Sequence, residues 1–180
     1  EGGNFKLEPH DWWYYAEKIK KAEFDLDEGQ LRPYFKMENV RRGAFEVASR
    51  LYGLQFIERK DIQRYADDVA VFEVKEADGS HLGIIYTDYF LRNGKRPGAW
   101  MSSFRSYSVE GDTVHTPIVY NVGNFTGPSE GKPALLSLEE VETLFHEFGH
   151  ALFGLLSRRP YENLSLPRDG IELPSQVMEN

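Results

Sequence analysis

Hydrophobic positions recur in two rhythms along this chain, and the change from one to the other divides it into three parts. In "HDWWYYAEKIKKAEFDL", Trp12, Tyr15, Ala16 and Ile19 return at helical spacing behind Asp11, which reads as an N-cap. This predicts a packing helix. "MENVRRGAFEVASRLYGLQF" repeats the rhythm, with Val40, Ala44, Val47, Ala48 and Leu51 on one face and Gly53 as the stop. From Asp68 the period shortens. "VAVFEV" and "HLGIIYTDYF" are β-rich runs joined through Ala77, Asp78, Gly79 and Ser80, a hairpin turn. Two more strands are predicted in "AWMSSF" at 99–104 and "TPIVYNV" at 116–122, with Asn93-Gly94, Pro97-Gly98 and Gly111-Asp112 marking turns. The expected fold is α+β and predominantly helical, with a small, mostly antiparallel sheet. Residues 1–57 are expected to be helical, 68–126 to form the sheet, and 137–180 to return to helix.

The last part carries the candidate chemistry. "SLEEVETLFHEFGHALFGLL", residues 137–156, starts with a capping box, Ser137 and Glu140, and has a buried stripe of Val141, Leu144, Phe145, Phe148, Leu152 and Leu155. His146 and His150 stand four apart, so their rings leave the same face and can converge on one metal ion. Glu147 points beside that position, where a carboxylate can take a proton from an activated water. No histidine follows His150, so a third ligand must be a carboxylate, and the downstream acids include Glu162, Asp169, Glu172 and Glu179. Glu172, in the opening turn of the helical pattern "GIELPSQVMEN", is favoured because a packed helix holds a ligand better than a loop. Asp169 suits an N-cap or a supporting acceptor. Glu179 suits either an orienting partner for a histidine or a solvated acid.

Composition narrows the partners. The chain has 180 residues, no cysteine and a net charge of −8, so disulfides and thiolate ligands are excluded, and nucleic acid is not an expected partner. No apolar run reaches the roughly 18 residues of a membrane span, so a membrane is not expected either. The N-terminus lacks a signal-peptide layout, and the expected compartment is the cytoplasm, with the periplasm or another left open. The chain reads as an internal piece of a longer protein. His10, His81 and His115 lie in polar or turn contexts and read as ordinary surface residues. The sequons at Asn124 and Asn163 have no secreted context to support them. Trp12, Trp13, Tyr14 and Tyr15 read as core aromatics in preference to a peptide groove.

"FHEFGHALFGLLS" followed by "PRDGIELPSQVMEN" resembles the zinc oligopeptidase family that includes thimet oligopeptidase and the bacterial peptidyl-dipeptidases. The likeness continues upstream through "VFEVKEADGSHLG", "GAWMSSF" and "VGNFT", covers nearly the whole chain and is nearest to the peptidyl-dipeptidase branch. It implies one zinc ion per chain, held by His146, His150 and Glu172, with Glu147 as general base. It also implies a zincin-like catalytic region beside a channel that admits short peptides. Family members are much longer, and carry tyrosine and histidine oxyanion donors in a region beyond the part matched here. Three features depart from the family pattern. Phe153 stands where a histidine is common, Gly170 where an aromatic is usual, and the connection from His150 to Glu172 is shorter and lacks an S-G-T loop.

The reading that follows is a zinc metallopeptidase region acting on short unstructured peptides, with the remainder of a full-length peptidase required. Its rivals are a noncatalytic peptide-binding fragment and a structural zinc site closed by four protein ligands.

Overall fold

A computed structural model describes residues 6–24, 28–129, 131–159 and 167–180. The chain begins with α1 (Trp12–Phe24), the single turn α2 (Glu28–Leu31) and α3 (Met37–Tyr52). Gly53 ends α3 at φ 72°, a left-handed conformation that only glycine adopts cheaply, and its N–H returns to the Ser49 carbonyl. Seven strands follow: β1 (Gln55–Glu58), β2 (Ala70–Lys75), β3 (His81–Phe90), β4 (Trp100–Arg105), β5 (Ser108–Glu110), β6 (Thr113–His115) and β7 (Ile118–Phe125). Two helices, α4 (Leu138–Leu156) and α5 (Arg168–Glu179), complete the described residues. The fold is a mixture of α-helix with a small sheet.

Five strands pair in the order β1-β2-β3-β7-β4, while β5 and β6 form a separate hairpin. The β2 to β3 turn closes where expected, with Gly79 at φ 83° and the Ser80 N–H donating to Asp78 Oδ1 at 2.9 Å. Strand β7 inserts between β3 and β4, running parallel to β3 and antiparallel to β4. The other pairings are antiparallel, so β4 is left as an edge strand. Such an insertion depends on contacts distant in sequence, which local periodicity does not encode.

Helix α4 lies across β7, β4 and β3 and also packs against α5 and α3. Its buried stripe is Leu144, Phe148, Ala151, Leu152 and Leu155, with Val141 and Phe145 half-buried beside it. The Phe148 ring meets Phe45 of α3 at 5.6 Å and Phe56 of β1 at 6.0 Å. Full burial of each such side chain stabilises the fold by about 1.5–3 kcal/mol. The capping box forms as the sequence predicts: Glu140 N donates to Ser137 Oγ at 3.1 Å and Ser137 N to Glu140 Oε2 at 2.8 Å.

Several expectations need correction. Helix α1 leaves Trp12 and Trp13 exposed, at 68% and 73%, and Ile19 at 56%, so among the described residues it is not a packing helix. Leu51, predicted for the buried face of α3, is exposed at its C-terminal end. Gln55 to Ile57, within the stretch expected to be helical, belong to the edge strand β1, whose alternation is too short to read locally. Helix α5 begins at Arg168, earlier than the pattern suggested, and Pro167 rather than Asp169 holds its N-cap position.

Candidate metal centre and catalytic carboxylate

Helices α4 and α5 pack more extensively on each other than any other pair of helices, and the contact is close because Gly149 has no side chain. A Cβ on Gly149 would lie 2.6 Å from the Ser175 Cα and 2.7 Å from the Pro174 carbonyl oxygen. That approach sets α5 directly beside the face of α4 carrying His146 and His150. Pro174 sits inside α5, where it removes one helical N–H, yet the helix continues to Glu179.

Three side chains converge there. His146 Nε2 is 3.4 Å, and His150 Nε2 3.1 Å, from the same oxygen, Glu172 Oε2. Donors about 2.0–2.2 Å from one centre at tetrahedral angles stand about 3.4 Å apart, so this spacing fits a single small cation. The candidate ligand atoms of His146, His150 and Glu172 all lie within 4.8 Å of one another. Two imidazoles and a carboxylate without thiolate are a donor set that suits zinc. Burial pushes the His150 imidazole below its ordinary pKa, against the opposing pull of Glu172, which favours the neutral ring a metal requires.

Helix α5 also supplies the groups behind these donors. Ser175, fully buried, donates its hydroxyl to the Glu172 carbonyl at 2.8 Å and lies 3.1 Å from Glu172 Oε2. Glu179 Oε2 is 2.8 Å from His146 Nδ1. The Ile171 backbone lies against the His150 ring and favours its N–H form. Ser175 was not singled out from sequence; its signal is the spacing of three from Glu172, which puts both on one helical face.

Glu147 is half-buried on α4. Burial raises its carboxyl above the ordinary range, Glu172 adds to that, and His146 and the Met101 backbone of β4 pull the other way. A carboxylate held in this way is a stronger base than one in water. The nearness of Met101 brings the edge strand β4 alongside the same centre.

The remaining candidates fall elsewhere. Asp169 accepts from the Gly170 N–H at 3.0 Å and is not part of the cluster. Glu162 and the Asn163 sequon lie outside the described residues. His81 pairs with Glu73 at 3.0 Å, and His10 and His115 stand near Asp11 and Glu110. The Asn124 amide donates to the Arg96 and Gly98 carbonyls at 2.8 and 2.6 Å, so that sequon serves to tie down a loop.

Residues 1–180 match the profile of Peptidase family M3 throughout. The dipeptidyl carboxypeptidase of Escherichia coli K12 is 46% identical over 182 residues, covering 99% of this chain and 26% of that protein. The oligopeptidase A of the same organism is 41% identical, covering 100% of this chain and 27% of its own length. A probable thimet oligopeptidase of Arabidopsis thaliana is 29% identical, covering 100% and 26%. The chain thus spans about a quarter of the length of the curated relatives it matches. Both the resemblance carried by its metal-ligand motif and this end-to-end match lead to one statement: the chain belongs to peptidase family M3.

Proposed function

We propose that the chain is the metal- and base-bearing region of a zinc peptidase that hydrolyses peptide bonds in short, unstructured peptides. The observation that carries this reading is the convergence of His146, His150 and Glu172 on one point, with Glu147 beside it. Zinc, when bound, would supply Lewis acidity to the scissile carbonyl and make a water molecule acidic enough to attack near neutral pH.

Proton transfer and the holding of the cation fall to residues of this chain. Glu147 takes the proton of the attacking water as the C–O bond forms, and returns it to the amine nitrogen as the C–N bond breaks. His146 and His150, fixed one turn apart on α4, hold the cation so that this carboxylate lies within reach. Glu172 contributes negative charge and closes the ligand set from α5. Among the described residues strand β4 ends the sheet, its Met101 backbone reaches Glu147, and an extended peptide pairing with this strand would bring its backbone alongside the metal position. The relatives named as dipeptidyl carboxypeptidase and oligopeptidase A support peptides as the substrate class. Among the described residues no helix is long and apolar enough to cross a membrane.

The test is zinc content measured alongside cleavage of a quenched fluorescent peptide, with and without chelator. Stoichiometric zinc with chelator-sensitive cleavage is expected. Zinc without any cleavage in a polypeptide of family length would favour the structural zinc site or the noncatalytic peptide binder.

A further inference from the structure

We propose that Glu179 is a positioning residue, which holds the Nδ1–H of His146 and so presents the Nε2 lone pair to the metal position. The inference rests on the peptidase reading for its purpose, but its geometry stands apart from it.

His146 is gripped from both sides by α5. Its Nε2 is 3.4 Å from Glu172 Oε2, an oxygen that also serves His150 at 3.1 Å, whereas its Nδ1 has Glu179 Oε2 at 2.8 Å. When the ring carries one proton, the shorter and unshared contact takes it. The proton therefore sits on Nδ1, and Nε2 is left to ligate. A free imidazole prefers the opposite tautomer, so the protein must impose this one. Glu172, Ser175 and Glu179 follow one another at spacings of three and four, which lines them along the face of α5 that meets α4.

The placement of Glu179 makes little sense as support for its own helix. It is the last residue of α5, where the macrodipole disfavours a negative charge, and no basic residue lies in that last turn. Its carboxylate pairs instead with His146. The two histidines are thereby held differently, His146 by a charged carboxylate and His150 by the Ile171 backbone.

The test uses the intact polypeptide and two readouts besides turnover. Nitrogen-15 correlation spectra of the metal-free protein at alkaline pH report which ring nitrogen of His146 carries the proton. Competition with a chromophoric chelator reports zinc affinity. Wild type is expected to show the Nδ1–H tautomer. Glu179→Ala is expected to revert to Nε2–H and to bind zinc about ten- to a hundred-fold more weakly. Glu179→Gln, whose amide oxygen can still accept, is expected to recover the Nδ1–H tautomer. An unchanged tautomer or an unchanged zinc affinity in Glu179→Ala overturns the proposal. If wild type takes up no zinc, the peptidase reading fails, and the tautomer alone decides the role of Glu179.

Discussion

At the scale of single residues, the proposed site separates holding a metal from moving a proton. Glu147→Gln is nearly isosteric but cannot accept a proton, so it is expected to retain zinc while hydrolysis falls by about a hundred- to ten-thousand-fold. Undiminished turnover in that variant would remove Glu147 from the role of base. His146→Ala and His150→Ala are expected to lose zinc almost entirely, because a three-ligand site cannot spare one. Glu172→Ala should weaken zinc more than Glu179→Ala does, since on this proposal one removes the third ligand and the other only the support of a ligand. The reverse order, read by chelator competition, would show that the third ligand has been assigned wrongly. The coming together of His146, His150 and Glu172 was legible in the sequence because helical spacing converts directly into direction. Ser175 and the Met101 backbone were not, since one is a common small residue and the other acts through main chain brought in by the sheet.

At the scale of elements, two glycines on the same helix should respond differently to the same change. In Gly149→Ala the new methyl group would meet the backbone of Ser175 and Pro174, which cannot yield without moving α5 and Glu172 with it. We expect a loss of about 1–3 kcal/mol in stability and weaker zinc binding. In Gly154→Ala the nearest atom is the Met101 terminal methyl, the free end of a flexible side chain that can turn aside. Equal effects of the two substitutions on melting and zinc affinity would contradict this account of the α4 to α5 contact. The path into β4 is held by a second device. Asp88, buried at the end of β3, accepts from Tyr65 Oη at 2.9 Å, Arg92 at 2.7 Å and Lys95 Nζ at 2.8 Å. Lys95 is itself buried and also reaches the Asp88 and Phe90 carbonyls. Burial alone would raise the Asp88 pKa, but these donors outweigh it and hold the carboxyl below its ordinary value. The native state therefore binds fewer protons here than the unfolded chain. This stabilisation is complete above the ordinary carboxylate range and is lost as pH falls through the depressed native value. Asp88→Asn, which leaves Lys95 buried beside a neutral partner, is expected to cost about 3–5 kcal/mol at neutral pH. Urea midpoints should then fall less on acidification in the variant than in wild type, and parallel pH curves would argue against the network. Asp88 falls within a predicted strand and Arg92 and Lys95 flank the Asn93-Gly94 turn, but their meeting was not legible, because only the tertiary fold returns that loop onto β3.

At the scale of the whole molecule, much of the surface has the character of an interface. Trp12, Trp13 and Tyr14 stand exposed along α1, and a hollow of about 420 Å³ opens among Leu51, Phe153, Leu156, Leu173 and Val177, between the ends of α3, α4 and α5. Exposed apolar patches of this kind usually meet another surface. The helical period of α1 was legible, but its partner was not, because periodicity reports that a face is apolar and says nothing of what covers it. The curated relatives are about four times as long as this chain, so the covering surface and the rest of the substrate channel are proposed to belong to that additional length. Catalysis should depend on it as well. The proposed metal ligands and Glu147 are local, but stabilising the developing oxyanion requires donors aimed at it, and the loss of one typically costs about a hundred- to a thousand-fold in rate. Helices α4 and α5 offer ligands and acceptors at the centre, and the one hydroxyl described beside them, that of Ser175, is engaged by Glu172. We therefore expect this 180-residue chain to bind zinc but to cleave a quenched peptide at least about a hundred-fold more slowly than a polypeptide of family length, compared at equal zinc occupancy. Comparable rates would mean that the chain carries its own oxyanion donors. The additional length would then serve to select and enclose substrates, with no share in the chemical step.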